Sequence, residues 1–129
     1  MRKTILMILL TAVSSSAVAE WVKVSVSENF VSYANPATIR KNDSLVEMWC
    51  LYDFNSPRKM GDNKPHLSMK GQNEFDCKKK EMRILSASFH SGVMGEGEVI
   101  RTNSELGKWE PVLPGSVGET LYKTACEKR

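Results

Sequence analysis

Histidine is scarce in this chain, with two in 129 residues, and no His-x-His or Cys-x-x-Cys pair occurs. Metal centres want clustered His, Cys or carboxylate ligands at suitable spacing, so that chemistry has no anchor here, and no cofactor is expected. Long hydrophobic runs are equally few: after Thr4–Val13 none follows that could halt transfer across a membrane. Repeats, low-complexity tracts and linkers are missing, which leaves a single domain with a modest core. Neither sign of charge dominates. Lys plus Arg number 18 against 15 Asp plus Glu, and without Arg2 and Lys3 the ratio is 16 to 15. Nucleic acid wants a strongly basic face, so this balance argues against it.

What is present begins with an export leader. Met1-Arg2-Lys3 is a positive start, Thr4–Val13 an apolar stretch, and Ala17-Val18-Ala19 a small-x-small cleavage site. Residues 1–19 therefore read as a signal peptide and 20–129 as the exported domain, with no membrane span. Position 20 is Glu, not Cys, so no thiol follows the cleavage site for lipid attachment. The periplasm is the default destination, with the cell surface or the medium beyond it.

The pattern after the leader alternates at a period of two in several places, the signature of strands with one buried face. Trp21–Val26 and Phe30–Tyr33 are short strands, and Asn35-Pro36 ends the second in a turn or single helical turn over Pro36–Arg40. Leu45–Phe54 is the strongest strand. Val46, Met48, Cys50, Tyr52 and Phe54 form a core face, while Trp49 and Leu51 on the other face need cover, from the C-terminal helix or from a second subunit. Asn55–Pro65 is a mobile loop, and His66–Phe75 is extended but weakened by Gly71. Glu81–His90 alternates Arg83, Leu85, Ala87 and Phe89 against Met82, Ile84, Ser86 and Ser88; a glycine-rich connection over Ser91–Gly97 returns to Glu98–Thr102.

The last segment has helical spacing. Ser116 and Glu119 form a capping box, and Val117, Leu121 and Ala125 fall on one stripe. A helix of about twelve residues is marginal alone and must dock on the sheet. The fold class is α+β: a small antiparallel sheet with a C-terminal helix docked on it and tied by a disulfide.

Three cysteines in an oxidising compartment allow one bridge and three pairings. Cys50 lies mid-strand on the core face, where a free thiol packs as a small hydrophobe. Cys77 stands at a strand terminus and Cys126 at the helix end, which favours Cys77–Cys126.

Catalysis has no positive signal. Cys50 with His66 or His90 is the one conceivable nucleophile, but a buried apolar thiol is inert. The histidines read as surface or strand-end residues, carboxylates are scattered without an acid–base couple, and Gly95-Glu96-Gly97 lacks a phosphate-loop context. The densest charge is Lys78-Lys79-Lys80 with Arg83 beyond it. It reads either as a strand edge kept from edge-to-edge pairing by lysine, or as a basic patch for a macromolecular partner, a protein or polyanionic glycan.

Taken together, Trp21, the Phe30–Arg40 stretch leading to Val46-Glu47-Met48-Trp49, Asp76-Cys77 and the Trp109-Glu110-Pro111-Val112-Leu113-Pro114-Gly115-Ser116-Val117 segment with Ala125-Cys126 resemble the surface-adhesin protein E-like family of Gram-negative exported proteins. The resemblance spans nearly all of residues 20–129. It implies a small antiparallel sheet with a disulfide-held C-terminal helix, a homodimer, and an adhesin role toward host matrix and plasma proteins. Asn35 stands where the pattern expects Asp before the proline. The expected function is non-enzymatic binding, with a periplasmic inhibitor or envelope-assembly accessory as the alternative.

Overall fold

The structure, a computed structural model, describes residues 20–127; the leader assigned to residues 1–19 lies outside them. β1 (Val22–Val26), β2 (Phe30–Asn42), β3 (Leu45–Arg58), β4 (His66–Asp76), β5 (Glu81–His90) and β6 (Val99–Asn103) cross one sheet in chain order. Each runs antiparallel to its neighbour, and β7 (Glu110–Pro111) pairs with the start of β5. One α-helix among the described residues, α1 (Val117–Glu127), follows. The sheet is more extensive than the small one expected from the sequence, and the helix is the minor part.

The predicted core face of β3 is correct. Val46, Met48 and Cys50 are buried with Ala34 of β2 and Phe75 of β4, and Leu121 and Ala125 of α1 close over them. At about 25 cal/mol per Å², burial of such side chains outweighs the marginal propensity of an eleven-residue helix. The capping box forms with a one-residue change. Glu119 N–H donates to Ser116 Oγ at 3.1 Å, but the Glu119 carboxylate receives Gly115 N–H, at 2.9 Å, where the box pattern would place Ser116. Gly118, unfavourable within a helix, has a packing reason: a Cβ there would sit 2.9 Å from Met82 Sδ.

Three strand expectations need correction, and irregular register explains each. Asn35-Pro36 does not end β2; the strand continues to Asn42 through a shift between Asn35 and Arg40. Proline removes a ladder donor, so it is tolerated at a bulge where no ladder bond is needed. There Thr38 Oγ1 donates to Asn35 O at 2.6 Å and accepts Trp49 N–H at 3.0 Å, replacing the lost rung. The same holds for Pro57: β3 runs into the expected loop as far as Arg58, with a shift between Asp53 and Arg58. Asn55 holds this extension by donating its N–H to Asn29 O at 2.9 Å and its side-chain amide to Glu28 O at 2.7 Å.

In β5 the expected alternation is broken. Gln72 pairs with Ser86 and Asn73 with Ile84, which leaves Leu85 without an opposite residue. One extra residue exchanges the faces, so Met82 and Ile84 share a side with Ala87 and Phe89.

A clamped basic turn as candidate binding surface

The lysine run lies in the tight turn joining β4 to β5, not along a strand edge, because β5 continues the sheet beside β4. Asp76, the last residue of β4, shapes this turn through its short carboxylate: Oδ1 accepts N–H from Lys78 at 3.1 Å and from Lys79 at 3.0 Å. Lys80 donates its N–H to Asp76 O at 2.9 Å and adopts a left-handed φ of 58°. Its carbonyl accepts Val112 N–H at 3.0 Å, so the segment leading to α1 straps the turn from one side.

Cys77 is fixed on the other sides. Its N–H donates to Ser44 O at 2.9 Å, which joins this turn to the β2–β3 turn. Its sulfur bonds Cys126 of α1, the expected pairing, with the Cα atoms 5.7 Å apart and 49 positions apart in sequence. Tyr122 completes the clamp by donating its phenol to Cys77 O at 2.9 Å. Burial, then the carboxylates of Asp76 and Glu127, raise the Tyr122 phenol above its ordinary pKa, so it stays a donor. The side chains of Lys78, Lys79 and Lys80 remain exposed on this fixed backbone.

Arg83 is separated from these lysines by its environment. It binds Glu74, its direct cross-strand partner, at 2.8 Å through both Nε and Nη2, and its guanidinium lies 4.4 Å above the Trp109 ring. The two side chains are 22% and 11% exposed, so Arg83 is committed to a largely desolvated pair. Sequence reading missed the reason. Register sets Glu47 directly opposite Glu74, a like-charge juxtaposition that disfavours pairing. Arg83 neutralises one carboxylate, and Gln72 Nε2 donates to the other, Glu47 Oε1, at 3.1 Å. No signal in the linear sequence marks that pair.

The remaining singled-out residues are accounted for by packing. Cys50 is a free, buried thiol whose pKa burial pushes up to about 12, with the Asn73 side chain acting in the opposite direction. Leu51 is fully buried, but its cover is neither α1 nor a second subunit. The Ser91–Gly97 connection folds back as a 3-10 turn at Val93–Gly95 against β3 and β4. Met94 N–H donates to Asp53 Oδ1 at 2.9 Å, Gly95 N–H donates to Ser68 Oγ at 2.8 Å, and Gly95 rests on the Lys70 stem, the cross-strand partner of Leu51. His66 and His90 stand at strand ends but are buried: His66 lies edge-on between Phe54 and Phe89, and His90 Nε2 bonds Ser88 Oγ at 2.7 Å. Among the described residues no group of three or more His, Cys, Asp or Glu could hold a metal ion.

The sequence pattern of surface-adhesin protein E matches residues 21–127. The chain belongs to the surface-adhesin protein E family. No curated protein sequence matches it. Among solved structures, crystal form II of Haemophilus influenzae protein E superposes with a TM-score of 0.62 at 10% identity, covering 86% of this chain and 97% of that one. A second structure of Haemophilus influenzae protein E gives 0.61 at 10%, covering 83% and 93%. Protein E from non-typeable Haemophilus influenzae gives 0.56 at 10%, covering 85% and 80%. At such identity these structures share the fold, and nothing finer transfers. Membership of this family places the chain among adhesin-like binding proteins. No helix among the described residues is long and apolar enough to cross a membrane.

Proposed function

We propose that the chain is an exported, non-catalytic binding protein that engages a protein or a polyanionic glycan through the turn carrying Lys78, Lys79 and Lys80. The observation that carries this reading is the combination of free side chains and a fixed backbone. Three exposed ammonium groups sit on a turn held by Asp76, Ser44, Val112, Tyr122 and a disulfide. A fixed backbone removes the loop-ordering part of the cost of binding and leaves only the lysine side chains to be ordered. Arg40 and Lys41, exposed on the adjoining end of β2, extend the positive surface. Family membership and the leader-like residues 1–19 support export, with the periplasm as the default and the cell surface as the adhesin position.

The test is replacement of all three lysines by Glu, followed by pull-down from envelope extract and from host matrix and plasma proteins at low and high salt. Loss of a partner that wild type retains, and release of that partner by salt, are the expected results. Equal capture by the triple variant removes the lysine turn from the function. Protease shaving of intact cells separates the two locations, since a surface protein is digested and a periplasmic one spared.

A further inference from the structure

The irregular stretch of β2 opens a cleft on the face opposite α1. Asn35 is the cross-strand partner of Trp49, and Val22 pairs with Ala34, so Trp21 arrives beside Asn35 from the neighbouring strand. The bulge after Asn35 turns the next residues out of the ladder, and Thr38, bonded to both Asn35 O and Trp49 N–H, fixes that excursion. Trp21, Asn35, Thr38, Trp49 and Lys70 line the resulting cleft of about 230 Å³. Both indoles are half-buried, whereas Asn35 is 4% exposed and its Oδ1 has no hydrogen-bond partner. A buried carbonyl oxygen without a partner is costly, and native structures rarely carry one without a reason.

The lining narrows the ligand. A volume of about 230 Å³ lies below the range of about 300–1,000 Å³ typical of sites for drug-sized molecules, so it suits a single ring. Paired aromatic faces often hold a cationic ammonium, but Lys70 stands in this lining without an ion pair among the described residues and would repel one. A purely apolar guest would leave Asn35 and Lys70 unsatisfied. What remains is a ring with an apolar face for the indoles, hydroxyl donors for Asn35 and a negative charge for Lys70.

The geometry points to a binding site for one carboxylated sugar residue of an acidic glycan, stacked between Trp21 and Trp49, with its carboxylate on Lys70. This site is distinct from the lysine turn and does not depend on it. The measurement is tryptophan fluorescence of the purified protein titrated with glucuronate, with glucose and with N-acetyl-aspartate amide. Glucuronate should quench saturably in the millimolar range and more tightly than glucose by about threefold or more, as expected for one partly screened charge. Trp21→Ala, at the margin of the sheet, should abolish the saturable signal with the fold intact. Lys70→Gln should bring glucuronate down to the level of glucose. Absence of saturation up to about 100 mM sugar overturns the proposal, as does an unchanged signal in Trp21→Ala. Quenching by the aspartate derivative as strong as by glucuronate assigns the cleft to a protein side chain and overturns the sugar.

Discussion

The phenol of Tyr122 donates to the carbonyl of Cys77 at 2.9 Å, four residues before Cys126 of the same helix bonds the Cys77 sulfur. Helix and turn are thus joined twice at one point, by a hydrogen bond and by a covalent bridge. The two links differ in magnitude. Closing a loop of this length stabilises by about 4 kcal/mol in the chain-entropy model, against about 1 kcal/mol for the hydrogen bond. A whole domain has about 5–15 kcal/mol, so the bridge is a large share.

The first prediction follows from that difference. The double variant Cys77→Ser with Cys126→Ser should lose about 4 kcal/mol in urea unfolding, and Tyr122→Phe about 1 kcal/mol. Alkylation gives an independent reading. The native protein should label at no cysteine, and the denatured, unreduced protein at Cys50 alone, because Cys50 is buried and its pKa stands near 12. Label at position 126 without reductant would contradict the bridge.

Arg83 and the neighbouring lysines should differ sharply in what truncation costs the fold. Removing Arg83 leaves the Glu74 carboxylate in a nearly desolvated site, which typically costs about 3–5 kcal/mol for a fully buried pair. Partial exposure of the guanidinium puts Arg83→Ala nearer the lower end of that range, with lost packing on Trp109 included. Lys79→Ala, at an exposed position, should stay within about 0.5 kcal/mol. Thermal unfolding of the two single variants checks this. Equal stability of both would remove the structural role of Arg83.

How far the sequence revealed this molecule depended on how local each signal was. The core face of β3, the helix with its cap and the Cys77–Cys126 pairing follow from periods of two and 3.6 and from where each cysteine falls on them. The bulges did not show. Pro36 and Pro57 mark strand ends in most contexts, and only the pairings beyond them, Arg40 with Glu47 and Arg58 with His66, reveal that the strand continues. Leu85 carries no local mark of being the unpaired residue that exchanges the faces of β5. For the candidate surface, the lysines were legible as charge, but their clamp was not, since Ser44, Val112 and Tyr122 converge from distant parts of the chain. The Glu47–Glu74 juxtaposition and the Trp21–Trp49 cleft depend on register in the same way.

Acidification should weaken the fold through His66 and His90. Both imidazoles are held below the ordinary value of 6.5, first by burial and then by a neighbouring cation, Arg58 for His66 and Lys70 for His90. A depressed histidine prefers its neutral form in the folded state, so the unfolded chain binds more protons once pH drops below the unfolded value. The contribution is therefore complete above about pH 6.5, declines as pH falls through that point, and levels off beneath the folded pKa. Melting temperature should fall between about pH 7 and pH 5, before the carboxylates titrate substantially. His66 lies against Phe54 and Phe89, and His90 against Ser88, so the single substitutions His66→Gln and His90→Gln should each flatten part of that decline. A melting temperature that is constant across this window, or a slope unchanged by both substitutions, would show that neither imidazole is protonated more readily on unfolding.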